Sequence, residues 1–321
     1  MTQGALLAQG FLLAQGCFSL SRQIVENILV VLDGSDKDQF AMQQAVALTD
    51  HNQAKLRVLM TVYDQIEEMH KYIGFDNYRD IKQALLDEAE THLRLLTDRY
   101  NIHFSSNMVW GKRWNKSVVD TANSMEADLI TKVAGDQQSR IAKIFKSPED
   151  WHLLRDAQCP VWLVNGEGQS LEKVVAALGT LDESREHGVL GKKVILKARA
   201  MSEALDLPLE LVSVIPDFSA ATVATAYVPP LPGQSILWHE NAQQALANAE
   251  EQLNNHCAEL RVQAGVKVLT GHVERELAEL VGDSSLLVIG SAANRGLAGK
   301  FIGNTSEKVL HYLTSDMLVV H

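Results

Sequence analysis

The segment Val288–Val320, VIGSAANRGLAGKFIGNTSEKVLHYLTSDMLVV, combines the end of a strand pattern, a glycine-rich loop and a helix pattern. The apolar run Leu286–Ile289 is typical of a buried strand and ends at Gly290, and a loop punctuated by glycines follows it. Glu307–His311 is predicted to be a helix that begins after Asn304-Thr305-Ser306. Where a helix begins after a glycine loop, free backbone N–H groups and the positive end of the helix dipole attract an anion. We predict an anion-binding loop here; the alternative is a turn that needs glycines for its geometry alone.

The composition is that of an acidic globular chain. Its 321 residues favour two domains of roughly 150 residues each. The net charge is −11 and no run of Lys or Arg stands out, so direct binding of nucleic acid is not expected. Three cysteines, Cys17, Cys159 and Cys257, without CxxC spacing, favour a reducing compartment over a disulfide framework or a zinc site. With no uninterrupted apolar run of membrane-spanning length, we predict a cytoplasmic protein that does not enter a membrane.

Residues 1–23 stand apart from the rest of the chain. ALLAQG at 5–10 and FLLAQG at 11–16 form a near-exact tandem repeat ahead of Cys17. No Lys or Arg precedes Arg22, so the positively charged start of a signal peptide is missing. We expect an extension outside the fold, and whether it is native stays open.

The remaining chain alternates strand patterns with helix patterns. Ile28–Leu32 is a continuous apolar run, as expected for a strand buried on both faces of a parallel sheet. Ser35 with Asp38 three residues later predicts the start of a helix. Alternation of this kind indicates βαβ units with right-handed crossovers. We therefore predict an α/β fold with domains at 24–165 and 172–321, joined by a linker at 166–171.

The second half repeats the first. Placing Leu154 on Leu310 gives an offset of 156 residues, whereas placing Leu32 on Leu178 gives 146. The ten additional residues are expected in Pro216–His239, an apolar segment whose only charge between its ends is Asp217. Three interpretations stay open for this segment: packing against the protein itself, a lid over an apolar or amphipathic small molecule, or a surface for a partner.

The loop after Gly290 resembles the C-terminal signature of the universal stress protein family. ATP-binding members of that family carry G-x2-G-x9-G-[ST]. Gly290 and Gly303, thirteen residues apart, occupy the first and third glycine positions, whereas Ala293 and Asn304 replace the second glycine and the Ser or Thr. Residues 24–321 are similar to a tandem member of the family. The resemblance implies two flavodoxin-like domains, each a five-stranded parallel sheet between helices, that form an internal pseudo-dimer.

The same resemblance implies which strands and which residues to examine. The last strands of the halves, Val161–Val164 and Met317–Val320, are expected to pair with each other. ATP-binding members use an Asp at the end of the first strand for the nucleoside, and Asp33 matches that position; the alternative is that Asp33 caps the next helix. Ala134 is expected opposite Gly290, and Ser147 opposite Gly303. The first half therefore lacks the anchoring glycines.

The second half lacks the acid, because Gly179 stands opposite Asp33 and Asp182 follows only three residues later. The candidate ligand-binding residues are accordingly Gly290, Gly303, Asn304, Thr305 and Asp33, with ATP as a doubtful cofactor.

The functional prediction is a non-catalytic stress-response protein that acts through a small molecule or a partner. An ATP-binding switch that uses the second-half loop is the alternative; a hydrolase or transferase finds no nucleophile–base set in the sequence. Neighbouring side chains on a helix point about 100° apart, so His256 and Cys257 are not expected to share a metal. We expect no metal site, and homo-oligomerisation stays open.

Overall fold

The computed structural model describes residues 25–62, 72, 75–100, 104–111, 113–134, 148–165, 170–180, 185–216, 234–291, 309 and 312–321. Its strands are β1 (Asn27–Leu32), β2 (Lys55–Val62), β3 (Phe104–Trp110), β4 (Leu129–Val133), β5 (Val161–Val164), β6 (Lys173–Ala177), β7 (Leu209–Ile215), β8 (Gly265–Thr270), β9 (Ser285–Gly290) and β10 (Asp316–Val320). Its helices are α1 (Asp38–Asn52), α2 (Phe75–Arg99), α3 (Trp114–Ser124), α4 (Pro148–Asp156), α5 (Arg185–Leu205), α6 (Gln234–Leu260) and α7 (Val273–Val281).

All the strands belong to one ten-stranded sheet with the order β3-β2-β1-β4-β5-β10-β9-β6-β7-β8. The strands within each half run parallel, and the second half repeats the order of the first. The predicted α/β class and the five parallel strands per half are therefore confirmed. Parallel strands need crossover connections, which the intervening helices supply.

The two halves join through the predicted pair of strands. β5 and β10 run antiparallel, with Trp162 opposite Leu318. The indole Nε1 of Trp162 donates to Oδ2 of Asp316 at 2.9 Å, and the backbone N–H of Asn165 donates to Oδ1 at 2.8 Å. Burial raises the pKa of Asp316 to about 6, although these two donors oppose the shift. One carboxylate thus binds the end of the second half to the last strand of the first.

The core has two layers, one on each face of the sheet. Residues of α1, α2, α5 and α6 pack with one face, and residues of α3, α4 and α7 pack with the other. Helices α1 and α5, which follow the first strand of each half, also contact each other. The apolar strand runs are buried on both faces, as their composition predicts.

Three helices begin earlier than the sequence predicts. The sequence predicts helices over Asp80–Tyr100, Lys192–Leu205 and Asn241–Val262, whereas α2 begins at Phe75, α5 at Arg185 and α6 at Gln234. The apolar periodicity is present only where a helix covers the sheet, so the first turns of these helices lack it and are not predicted. Consequently Gln234–His239, predicted as part of an apolar loop, is helical.

The start of α1 also differs from the prediction. The helix signalled by Ser35 and Asp38 is present and begins at Asp38, but its N-cap residue is Lys37 and no side chain caps it. The carboxylate of Asp38 instead turns back and accepts the backbone N–H groups of Asp33 and Gly34. The turn after β1 is therefore held by the first residue of the helix.

Candidate functional site

The carboxyl ends of β1 and β4 form the crevice at which ligands bind in open α/β sheets, because the helices on either side cover opposite faces of the sheet. Asp33 follows β1 directly, and Lys132 lies on the adjacent strand β4, paired with Val31. Two charges from residues 99 apart in sequence are thereby brought together at one edge.

Asp33 and Lys132 form an ion pair, with Nζ of Lys132 3.3 Å from Oδ2 of Asp33. The side chain of Lys132 is 4% exposed and that of Asp33 is 37% exposed. The ammonium group also donates to the carbonyl oxygen of Val133 at 2.8 Å and lies 5.7 Å from the centre of the Trp114 ring. A buried ammonium group needs such partners, since its desolvation is otherwise costly.

Both oxygens of Asp33 are engaged by the protein. Oδ1 accepts the backbone N–H of Ser35 at 3.1 Å, whereas Oδ2 faces Lys132. Burial would raise the pKa of Asp33, but Lys132 and the hydrogen bonds from Ser35 outweigh it and lower that pKa below its ordinary value. Asp33 is therefore ionised at neutral pH. It does not cap α1, so that alternative is wrong.

Asp38 is a second carboxylate beside this pair, and it is 1% exposed. Nε2 of His92, on α2, lies 3.3 Å from Oδ2 of Asp38, a close approach without the alignment of a hydrogen bond. Burial, followed by repulsion from Asp33, raises the pKa of Asp38 to about 7, although the two backbone donors and Lys132 oppose the shift. Near neutral pH, Asp38 therefore exchanges a proton while Asp33 stays charged.

The equivalent residues of the second half follow from the strand register. β1 pairs with β4 at Val30 and Thr131, and β6 pairs with β9 at Ala176 and Val288. With Leu32 equivalent to Leu178, the offset between β4 and β9 is 157 residues, one more than the sequence comparison predicts.

The hydrogen bonds to the last strands agree with that register. The backbone N–H of Ala134 donates to Val164, and the N–H of Ser291 donates to Val320. Ala134 is therefore equivalent to Ser291 rather than to Gly290, which corrects the predicted alignment. The sequence comparison missed this because one residue is gained or lost between the strands, where no apolar pattern marks it.

Both charges of the ion pair are absent from the second half. Gly179 is equivalent to Asp33, and Ile289, which is buried, is equivalent to Lys132. Space is open where a Cβ atom on Gly179 would lie. Nearby, the hydroxyl groups of Thr180 and Ser213 hydrogen-bond to each other at 2.8 Å. Because the two charges neutralise each other in the first half, the second half can lack both without leaving an unpaired buried charge.

Gly290, the first predicted glycine of the anion loop, has a packing role. A Cβ atom at this position would lie 2.8 Å from Cγ and Cδ2 of Leu190, on α5. That distance is far below van der Waals contact, so glycine lets α5 approach the end of β9. The other loop residues named above, Ala293, Gly303, Asn304 and Thr305, lie outside the described residues, as do Ser147, Asp182, residues 1–23 and residues 217–233.

Sequence reasoning missed Lys132, Asp38 and His92 as members of this cluster. A signal existed for Lys132, because a lysine inside the apolar run Leu129–Val133 must find a partner if the strand is buried. Within the described part of the chain, no group of three or more His, Cys, Asp or Glu residues is arranged to hold a metal ion. The described helices also include none with the length and apolar character that crossing a bilayer requires.

Comparison with known proteins places these features in a family. The model of the universal stress protein family matches residues 25–165 and again 188–321. Universal stress protein E of Salmonella typhi is 25% identical over 311 residues, 92% of this chain and 94% of the relative. Universal stress protein E of Escherichia coli K12 is 24% identical over 318 residues, 92% of this chain and 93% of the relative.

Solved structures share the fold over the same length. A putative universal stress protein from Pseudomonas aeruginosa UCBPP-PA14 is similar with a TM-score of 0.60 and 22% identity, covering 93% of this chain and 94% of that one. A universal stress protein from Archaeoglobus fulgidus gives a TM-score of 0.55 at 14% identity, covering 92% and 97%. Since the family model matches both halves, this chain belongs to the universal stress protein family.

Proposed function

We propose that this protein is a non-catalytic stress-response protein of the cytoplasm that acts by binding a small molecule or a partner. The observation that carries the proposal is the charge in two crevices, one at the carboxyl ends of β1 and β4 and the equivalent one at the carboxyl ends of β6 and β9. In the first half, Lys132 already neutralises Asp33. In the second half, Gly179 and Ile289 offer no charge. Among the residues that the structure describes, neither crevice supplies a free carboxylate to orient a polar substrate.

The glycine loop supports the same proposal. Any side chain at position 290 would clash with Leu190, which explains the glycine there without a ligand. The spacing of Gly290 and Gly303 remains the argument for the second candidate function, an ATP-dependent switch at the second-half loop with Asn304 and Thr305 beside the phosphates. If a nucleotide binds, we propose that it binds there and that Asp33 takes no part.

The domain limits and the alternative ligand site are part of the proposal. We place the domains at 24–165 and 172–321, which agrees with two family matches and one sheet of two repeated halves. The apolar segment Pro216–His239 is the proposed cover for an apolar or amphipathic small molecule. Its composition supports this, and its last six residues begin α6.

Calorimetric titration tests the proposal against the ATP switch. The full chain, first shown to be free of nucleotide, is titrated with Mg·ATP up to millimolar concentration, and phosphate release is measured in parallel. We expect neither heat of binding nor turnover. A micromolar dissociation constant, about −8 kcal/mol of binding free energy, would favour the ATP switch, and turnover would contradict a non-catalytic protein.

If ATP does bind, Gly303→Trp tests whether it binds at the second-half loop or elsewhere on the protein. Loss of that binding in Gly303→Trp would establish the switch at the second-half loop, whereas retained binding would place the nucleotide elsewhere. Native mass spectrometry of gently purified protein, compared with the same sample after denaturation, tests the small-molecule proposal. Failure to recover any copurified molecule would count against a ligand beneath Pro216–His239 and favour a partner protein.

A further inference from the structure

β3 is one of the two outer strands of the ten-stranded sheet, and among the described strands it pairs with β2 alone. Ser105, Ser106, Asn107 and Met108, four of its seven residues, are exposed. An outer strand presents unpaired backbone N–H and C=O groups, which are a template for a further strand. This edge of the sheet is therefore open in the part of the chain that the structure describes.

The composition of β3 does nothing to prevent such pairing. Soluble proteins usually protect an edge with charges, proline, bulges or a very short strand. The seven residues of β3, FSSNMVW, contain no charge and no proline. β8, at the opposite edge, contains the exposed Lys267. The two edges therefore differ in the feature that decides whether an edge stays unpaired.

Exposed apolar side chains are more frequent in this part of the chain than at the opposite edge. Five of the seven large exposed apolar residues in the described chain lie on β3, on α2 or just before α2: Tyr72 (85% exposed), Phe75 (75%), Ile81 (43%), Leu95 (67%) and Met108 (39%). The described side chains of α6 and β8, at the opposite edge, include none of this set. Met108 lies on the outer strand itself, whereas Leu95 lies on the face of α2 that carries His92 and Arg99, which contact α1.

We infer that β3 is a dimerisation strand, which pairs antiparallel with β3 of a second copy of this chain. The register that pairs all seven residues has its twofold axis at Asn107. It places Phe104 opposite Trp110 of the other copy, and Ser106 opposite Met108. Aromatic residues that face each other across antiparallel strands stabilise the pair. The inference concerns a surface remote from both crevices and does not depend on the proposed function.

We assign a second copy of this chain as the partner of β3 because the strand is complementary to itself. With no charge in β3, self-pairing brings no like charges together, and an antiparallel pair about a twofold axis closes after two chains. Pairing through β3 also leaves the β5–β10 junction undisturbed.

Measurement of molar mass tests the inference directly. In sedimentation equilibrium over a range from low to high micromolar, we expect the full chain of 35.4 kDa to associate to twice that mass. Asn107→Lys and Asn107→Asp each place like charges at the twofold axis, so each variant is expected to stay monomeric. Mixed in equal amounts, they place Lys opposite Asp, and the dimer is expected to return.

Thr270→Lys is the matched control, because it adds the same charge to an exposed residue of the opposite edge strand. It is expected to associate like the unchanged chain, and circular dichroism checks that every variant is folded. An unchanged chain that stays monomeric, or an Asn107→Lys variant that still associates, would overturn the inference. The first outcome would point to a strand from a different protein, and the second to another face of this one.

Cysteine cross-linking tests the register. Only at the twofold axis does a residue face its own copy, so Asn107→Cys is expected to form a disulfide between chains under mild oxidation. Ser105→Cys, two residues away, faces Val109 of the other copy and should cross-link only when mixed with Val109→Cys. Cross-linking of Ser105→Cys alone would contradict this register.

Discussion

Asp38 places a buried carboxyl group between the turn after β1 and His92 of α2. Burial, followed by repulsion from Asp33, raises its pKa from the ordinary 3.8 to about 7. A raised pKa means that the folded protein favours the protonated form. The contribution of this group is therefore fully present below pH 4 and is lost as the pH rises through about 7. At about 1.4 kcal/mol per pKa unit, the loss is roughly 4 kcal/mol at most.

Asp38→Asn tests this dependence, because asparagine resembles the protonated carboxyl group and does not titrate. The free energy of unfolding, measured by urea denaturation between pH 4 and 8, is expected to match that of the unchanged protein near pH 4 and to exceed it by a few kcal/mol at pH 8. Asp36→Asn removes the same charge from an exposed position in the same turn and serves as the control. Equal pH profiles for Asp38→Asn and the unchanged protein would contradict the prediction.

At the scale of elements, Gly290 controls how closely α5 packs on β9. In Gly290→Ala the new Cβ atom would lie 2.8 Å from Leu190. We expect a loss of about 1–3 kcal/mol in the free energy of unfolding, as for other overpacked sites. Adding Leu190→Ala removes the clash, so the two substitutions together are expected to cost less than the sum of their separate effects.

Gly179→Ala is the matched control for this packing. A Cβ atom there meets nothing within 4 Å, so its effect on the urea midpoint is expected to be small. If Gly290→Ala is tolerated as well as Gly179→Ala, the packing role of Gly290 is wrong and the case for a ligand at that glycine grows stronger.

At the scale of the whole molecule, one continuous sheet joins the two halves. Trp162 and Asp316 are buried where the halves meet, and their hydrogen bond crosses the junction. Trp162→Phe leaves the carboxylate of Asp316 without its indole donor, which is expected to cost about 1–3 kcal/mol of stability. Urea denaturation followed by circular dichroism measures the change, and the unchanged protein is expected to unfold in one transition.

Rescue by a second substitution separates the hydrogen bond from simple loss of volume. In the Trp162→Phe background, Asp316→Asn is expected to recover part of the stability, because a neutral amide costs less to bury than an unpaired carboxylate. In the unchanged protein, the same substitution is expected to destabilise. If Asp316→Asn lowers stability equally in both backgrounds, the bond across the junction is not what holds the halves together.

The elements and their repeat could be predicted because their signals are local. Apolar runs such as Ile28–Leu32 indicate buried strands, and their alternation with helix patterns indicates parallel pairing. The pairing of β5 with β10 came from family resemblance rather than from periodicity. Helix starts were less accurate, since the first turns of α2, α5 and α6 extend beyond the apolar pattern.

The amino-acid order alone is enough to predict the family, the α/β class, the duplication and the position of Asp33 at the end of the first strand. The role of Asp33, in contrast, depends on contacts that form only in the folded chain. Its partner Lys132 is 99 residues away, and its neighbour Asp38 turns back from the helix instead of capping it. The structure also decided the one-residue shift that sets Gly290 apart from Ala134. The physical reason is that periodicity records which face of an element is buried, whereas charge pairing and register depend on contacts between distant segments that no local pattern encodes.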